Sequence, residues 1–153
     1  MHMATTNKTT ETLTMLLLSL CQNQAEKDMC ATIEMEYKEI DATEKKYSSS
    51  KNVHLYKVLH ITRFLDTSLK LFLDIHNCCG NRHSIGDYLK TLSKPNKGLT
   101  QLNSGLAKRY TEDIANVRNK YLHMSGQKPN QREYNEIKEK IHECLQTILS
   151  LHI

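Results

Sequence analysis

Residues 117–130 read VRNKYLHMSGQKPN, and they gather an arginine, an asparagine and a histidine within six positions, just ahead of a Gly/Pro break. Together these side chains could act on a phosphodiester. Histidine has an unperturbed pKa of about 6.5, so it can move protons in either direction near neutrality. Arginine carries a fixed charge on a planar fork that matches two phosphate oxygens. An asparagine amide can hydrogen-bond phosphate or ribose. RNA supplies its own nucleophile, the 2′-hydroxyl. Cutting it needs a base for that proton, an acid for the departing 5′-oxygen and a cation on the phosphorane oxygens. Arg118, Asn119 and His123 are therefore the candidate catalytic residues, with His123 as base or acid, Arg118 as charge stabiliser and Asn119 as orienting group. This chemistry calls for no metal and no cofactor, and its products would be a 2′,3′-cyclic phosphate and a 5′-hydroxyl. Lys120, Lys128 and Arg132 beside the motif are candidates for holding the RNA backbone, with Lys94, Lys97, Lys108 and Arg109 further out. The plainer alternative for all of them is a solvated helix face.

A helix must carry the motif. On a regular wheel Ile114, Val117, Tyr121 and Met124 share one face, which is expected to turn into the core. Asn119 and His123 stack on another face, with Arg118 and the apolar Leu122 beside them. Arg118 and His123 are five positions apart, about 140° round a regular helix. They can meet on one small group if the arginine curls round, if the helix end loosens before Gly126, or if a two-fold axis brings up a second copy of the same face. In the third case Leu122 would be buried between the copies.

Helical periodicity extends through most of the chain. Leu13, Leu16, Leu17, Leu20 and Cys21 form one stripe, which resumes after a polar patch at Cys30, Ile33, Tyr37 and Ile40. KKYSSSKN (45–52) then separates this first helical segment from a second, marked by Leu55, Leu59, Leu65, Leu69, Phe72 and Leu73. HNCCGNRHS (76–84) ends that one, with Gly80 and Asn81 as stop residues. A short helix is expected over Ser84–Leu92, capped by Ser84 with Asp87 three residues on. A fourth long helix is expected from about Thr100 or Leu106 to Met124, and a last one from near Asn130 through Tyr134, Ile137, Ile141, Leu145 and Ile148. No stretch alternates as a strand would. The reading is an all-α antiparallel bundle of four long helices plus a short helix, forming one domain over residues 1–153 with a flexible tail at 1–8.

The 153 residues include only 5 Gly and 2 Pro, which suits a few long elements. A net charge of +4 is compatible with a polyanionic partner without showing one. The 5 cysteines are scattered, and MHMATTNKTTET lacks the basic region and long apolar run of a signal peptide. Reduced thiols and a cytoplasmic location are expected, and with no apolar run long enough to span a bilayer, no membrane association. His76, Cys78, Cys79 and His83 cluster around a glycine turn but lack the CxxC spacing of a zinc site. Cysteines filling space at a helix end is the reading preferred there.

RNKYLH resembles the signature of the HEPN superfamily: an arginine, a polar residue directly after it, and a histidine four to six residues on, near the C-terminal end of a helix. The resemblance spans the helical layout of the whole chain but rests for specificity on six residues. It implies an α-helical bundle that pairs with a second copy across a shared cleft, so a homodimer. It also implies a metal-independent endoribonuclease that acts as a toxin or phage-defence effector, restrained by an antitoxin or other regulatory partner. One subgroup, silenced by a nucleotidyltransferase, carries a tyrosine two residues after the histidine. Ser125 stands there in this chain. The alternatives are a non-catalytic helical module that binds RNA, nucleotides or protein through the same basic face, and a helical adaptor in which the Arg/His pair is incidental.

Overall fold

The computed structural model describes residues 2–123 and 126–153, with side chains described from Thr10 onward. Helix α3 (Val53–Ile75) lies at its centre. Val58, Ile61, Phe64, Leu65, Leu69, Phe72 and Leu73 each show 0% exposure. Their spacing wraps more than a single stripe, so other helices must cover α3 on several sides. These are α1 (His2–Leu20), α2 (Gln24–Lys46), the short α4 (Ile85–Leu92), α7 (Gln131–Leu149) and a rod in three consecutive parts. The rod consists of α5 (Ser104–Tyr110), a π-helical segment (Thr111–Asn116) and α6 (Val117–His123). Among the described residues the chain is all-helical, with one isolated antiparallel bridge between Leu99 and His152. Among them, too, no helix is long and apolar enough to cross a membrane.

The expected four long helices become five long rods plus α4 among the described residues, because the first helical segment is two helices. Asn23 adopts extended backbone and its Oδ1 accepts from the Glu26 N–H at 2.8 Å, while Glu26 Oε1 accepts from the Gln22 N–H at 2.7 Å. This reciprocal cap starts a new helix inside the polar patch. The expected tail at 1–8 concerns residues whose side chains lie outside the described ones, as does Met1 altogether.

The second correction concerns the end of α3. Its stop residue is Asn77, at φ 56°, rather than Gly80 or Asn81. The Asn77 N–H donates to the Asp74 carbonyl at 3.1 Å and the Cys78 N–H to the Leu73 carbonyl at 3.0 Å. That bond pair is the Schellman closure, and asparagine tolerates the left-handed conformation it needs. The other two ends match expectation. Ser84 caps α4 by accepting from the Asp87 N–H at 3.2 Å. At α7, Asn130 Oδ1 accepts from the Glu133 N–H at 2.8 Å and Glu133 Oε1 accepts from the Asn130 N–H at 3.2 Å.

Two further ties hold the helices in place. Lys57 of α3 is 2% exposed, with its ammonium 3.5 Å from Glu44 of α2, 3.4 Å from Gln131 Oε1 and 4.3 Å above the Tyr134 ring of α7. An anion, a dipole and an aromatic face thus meet an ammonium taken this far from water. The loop after α4 is clasped by the end of α7: Thr100 N–H donates to Leu151 at 2.8 Å, and Ile153 N–H to Gly98 at 3.3 Å.

Candidate functional site

The rod that carries the motif starts at Asn103, whose Oδ1 accepts from the Leu106 N–H at 3.0 Å. Ala107, Tyr110, Ile114 and Tyr121 are its buried residues, so this face turns inward as the sequence pattern predicts, with Val117 half-buried. Met124, assigned to the same face, and Ser125 lie outside the described residues. The irregularity is the π segment just before the motif. Its wider i→i+5 turn holds one residue more than an α turn, and such segments often sit beside functional residues. Arg118 is half-buried rather than out on the far surface.

Arg118 and Asn119 line one open groove of about 410 Å³. Asp66 of α3, His83 and Ser84 from the loop before α4, and Thr111 and Asn116 of the π segment complete its polar lining. The volume falls within the range of roughly 300–1,000 Å³ typical of small-ligand sites. A second groove of about 510 Å³ shares Ser84, Gly86, Thr111 and Asn116 with the first and leads on past Lys90 and Lys108. The two form one channel between α4 and the rod. Arg118 Nη1 approaches Asn119 Oδ1 at 3.5 Å, a long contact that leaves most of the guanidinium's donors for something else.

Asp66 sets the charge of the groove. Burial raises its carboxyl above the ordinary range, while Arg118, Lys70, His83 and the Tyr88 hydroxyl, in that order, pull it back down. Burial also pushes the Tyr88 phenol well up, with Asp66 adding to the effect. Asp66, Arg118 and His83 thus line one groove and act on one another through charge.

His123, Lys120 and Leu122 are exposed on α6, and His123 is not part of the groove lining. The Lys120 ammonium lies 5.8 Å from the Tyr121 ring centroid. The Tyr121 hydroxyl donates to Glu133, joining the end of α6 to the start of α7. Burial, then this bond, raises Tyr121 to about 12, while the same bond, then the Asn130 N–H, lowers Glu133. Lys128 is exposed in the turn, and Arg132 Nε sits 3.2 Å from Glu136 Oε1 one helical turn on. Of the more distant candidates, Lys108 approaches Glu112 at 4.0 Å. The structure therefore unites Arg118 with Asn119 and leaves His123, Lys128 and Arg132 apart from them within one chain.

The groove adds Asp66, His83 and Asn116 to the residues singled out in the sequence. Asn116 could have been suspected from its place two residues before Arg118. Asp66 and His83 come from other parts of the chain, and no local pattern marks them. In the cluster of His76, Cys78, Cys79 and His83, His76 Nε2 meets His152 Nδ1 at 2.8 Å, and Cys79 Sγ lies 4.0 Å from His83 Nδ1. Among the described residues, no three His, Cys, Asp or Glu side chains converge as metal ligands would. No protein-family model, no curated protein and no solved structure matches this chain.

Proposed function

We propose that this chain is a HEPN-like, metal-independent endoribonuclease that cuts single-stranded RNA by attack of the 2′-hydroxyl on the adjacent phosphate. The observation that carries this reading is the groove in which Arg118 and Asn119 stand side by side, open to solvent and continuous with a longer channel. A guanidinium fixed on a helix, with most of its donors available, suits the dianionic phosphorane of such a reaction. Asn119 would orient the ribose or a non-bridging oxygen. His123, at the last turn of the same helix, would move the proton. Because it stands outside its own chain's groove, it would act on RNA held by a second copy, the two copies meeting through α6 around the exposed Leu122. Lys120, Lys128 and Arg132 would then track the RNA backbone. As a small RNA-cutting domain, it would serve as a toxin or phage-defence effector held in check by an antitoxin.

The test is incubation of the purified protein with total RNA in EDTA, alongside Arg118→Ala and His123→Ala. Cleavage should survive chelation, leave cyclic-phosphate ends and fall at least 100-fold in each variant. Intact RNA from the unaltered protein would sink the proposal.

One observation favours a second reading, binding without cleavage: Arg118 and Asn119 line the groove, while the motif's own histidine, His123, stands outside it. A binding module would shift RNA without cutting it, and its affinity would fall steeply with salt.

A further inference from the structure

We infer that His83 is the proton-transferring imidazole of the Arg118 groove, acting within one chain on a ribose–phosphate held by Arg118 and Asn119. This rests on the endoribonuclease reading and revises one role in it, passing the proton transfer from His123 to a residue that the RNKYLH motif does not contain.

Three observations carry it. His83 lines the same groove as Arg118, Asn119 and Asn116, although it lies 35 positions before Arg118 in the chain. It stands in the loop ahead of α4, with Nδ1 4.0 Å from Cys79 Sγ and the ring centroid 6.4 Å from that of Tyr88 in α4. Neither neighbour meets Nε2. Finally, Asp66 lines the same groove as the imidazole and the guanidinium, so the site holds an acidic group as well as the cation. His123 has none of these partners within the chain.

The chemistry balances with these groups alone. The phosphate sits on Arg118, and Asn119 or Asn116 hydrogen-bonds its oxygens or the ribose. Neutral His83 removes the 2′-hydroxyl proton as the bond from O2′ to phosphorus forms. The bond from phosphorus to O5′ breaks, and the imidazolium returns its proton to the departing 5′-oxygen. The products are a 2′,3′-cyclic phosphate and a 5′-hydroxyl, and His83 ends neutral as it began.

The experiment compares the full chain with His83→Ala, His123→Ala and Arg118→Ala on a fluorescent single-stranded RNA in EDTA. Binding is read separately on an RNA carrying a 2′-deoxy sugar at the cut site, and folding by thermal melts. His83 is exposed in a loop, so its substitution should leave the melt unchanged. The expected result is a loss of at least 100-fold in cleavage by His83→Ala, with binding within threefold of the unaltered protein and activity restored in part by added imidazole. Cleavage by His83→Ala within a few-fold of the unaltered protein overturns the inference, and so does a loss that imidazole fails to repair. If His123→Ala alone is inactive, His83 is dismissed while the endoribonuclease reading stands. If the unaltered protein leaves the RNA intact, both readings fall together.

Discussion

At the scale of single residues, the chain places its histidines in very different settings. His142 of α7 is 8% exposed, with Nε2 2.8 Å from Thr10 Oγ1. Burial, then the nearby Lys138, lowers its pKa to about 4. Between that value and about 6.5 the unfolded chain binds a proton that the folded chain refuses. The contribution to stability is fully present above about pH 6.5 and is lost as the pH falls toward 4. Urea titrations should therefore show the stability of the unaltered protein declining across that window, by up to about 3 kcal/mol from this group. His142→Gln should flatten the decline. An equal slope in the two proteins would count against a neutral buried imidazole. His83 and His123 are both exposed, and only their neighbours distinguish them. That distinction could not be read from the sequence. RNKYLH is a contiguous pattern and points to His123, whereas His83 gains its place only when α3, α4 and α6 pack together.

At the scale of elements, the signals that could be read were those in which a side chain acts on its own backbone. Ser84 and Asn130 are caps with their acidic partners three residues on, and the structure places a helix start at each. Asn23 is the same kind of signal inside QNQAEKD, and giving it full weight would have divided the first helical segment in two. Asn77 was harder to identify, because Gly80 offers the more familiar stop three residues later. The π segment leaves no trace in composition, since its extra residue is absorbed by packing around Tyr110 and Ile114 rather than marked by Gly or Pro. The cap at α7 is also tied to the end of α6, because Glu133 serves both Asn130 and the Tyr121 hydroxyl. Asn130→Ala should cost about 1 kcal/mol. Thermal melts would show a drop of roughly 2–4 °C for a domain of this size. An unchanged midpoint would mean that the cap contributes nothing to the seating of α7.

At the scale of the whole molecule, the all-helical architecture could be inferred from periodicity and scarce glycine, but its arrangement around α3 could not. Only tertiary packing encloses Phe64 and Phe72 at 0% exposure and brings α2 to α7, through the Lys57 contacts and through Tyr37 and His142, whose ring centroids lie 6.0 Å apart. Pairing of two copies is a prediction at this scale. Leu122, 42% exposed beside His123, is the apolar residue at the proposed contact. Sedimentation should give twice the 17.7 kDa chain mass, and Leu122→Glu should return the single-chain value with its melt preserved. A single-chain mass for the unaltered protein at micromolar concentration would remove the partner copy from the mechanism. The groove itself has a further consequence. Its walls come from Asp66, His83 and Arg118, three segments that touch only after α3, α4 and α6 have docked. A nascent or proteolytically clipped copy would have no working surface. Newly made protein would then stay inert through synthesis, a delay written into the topology itself.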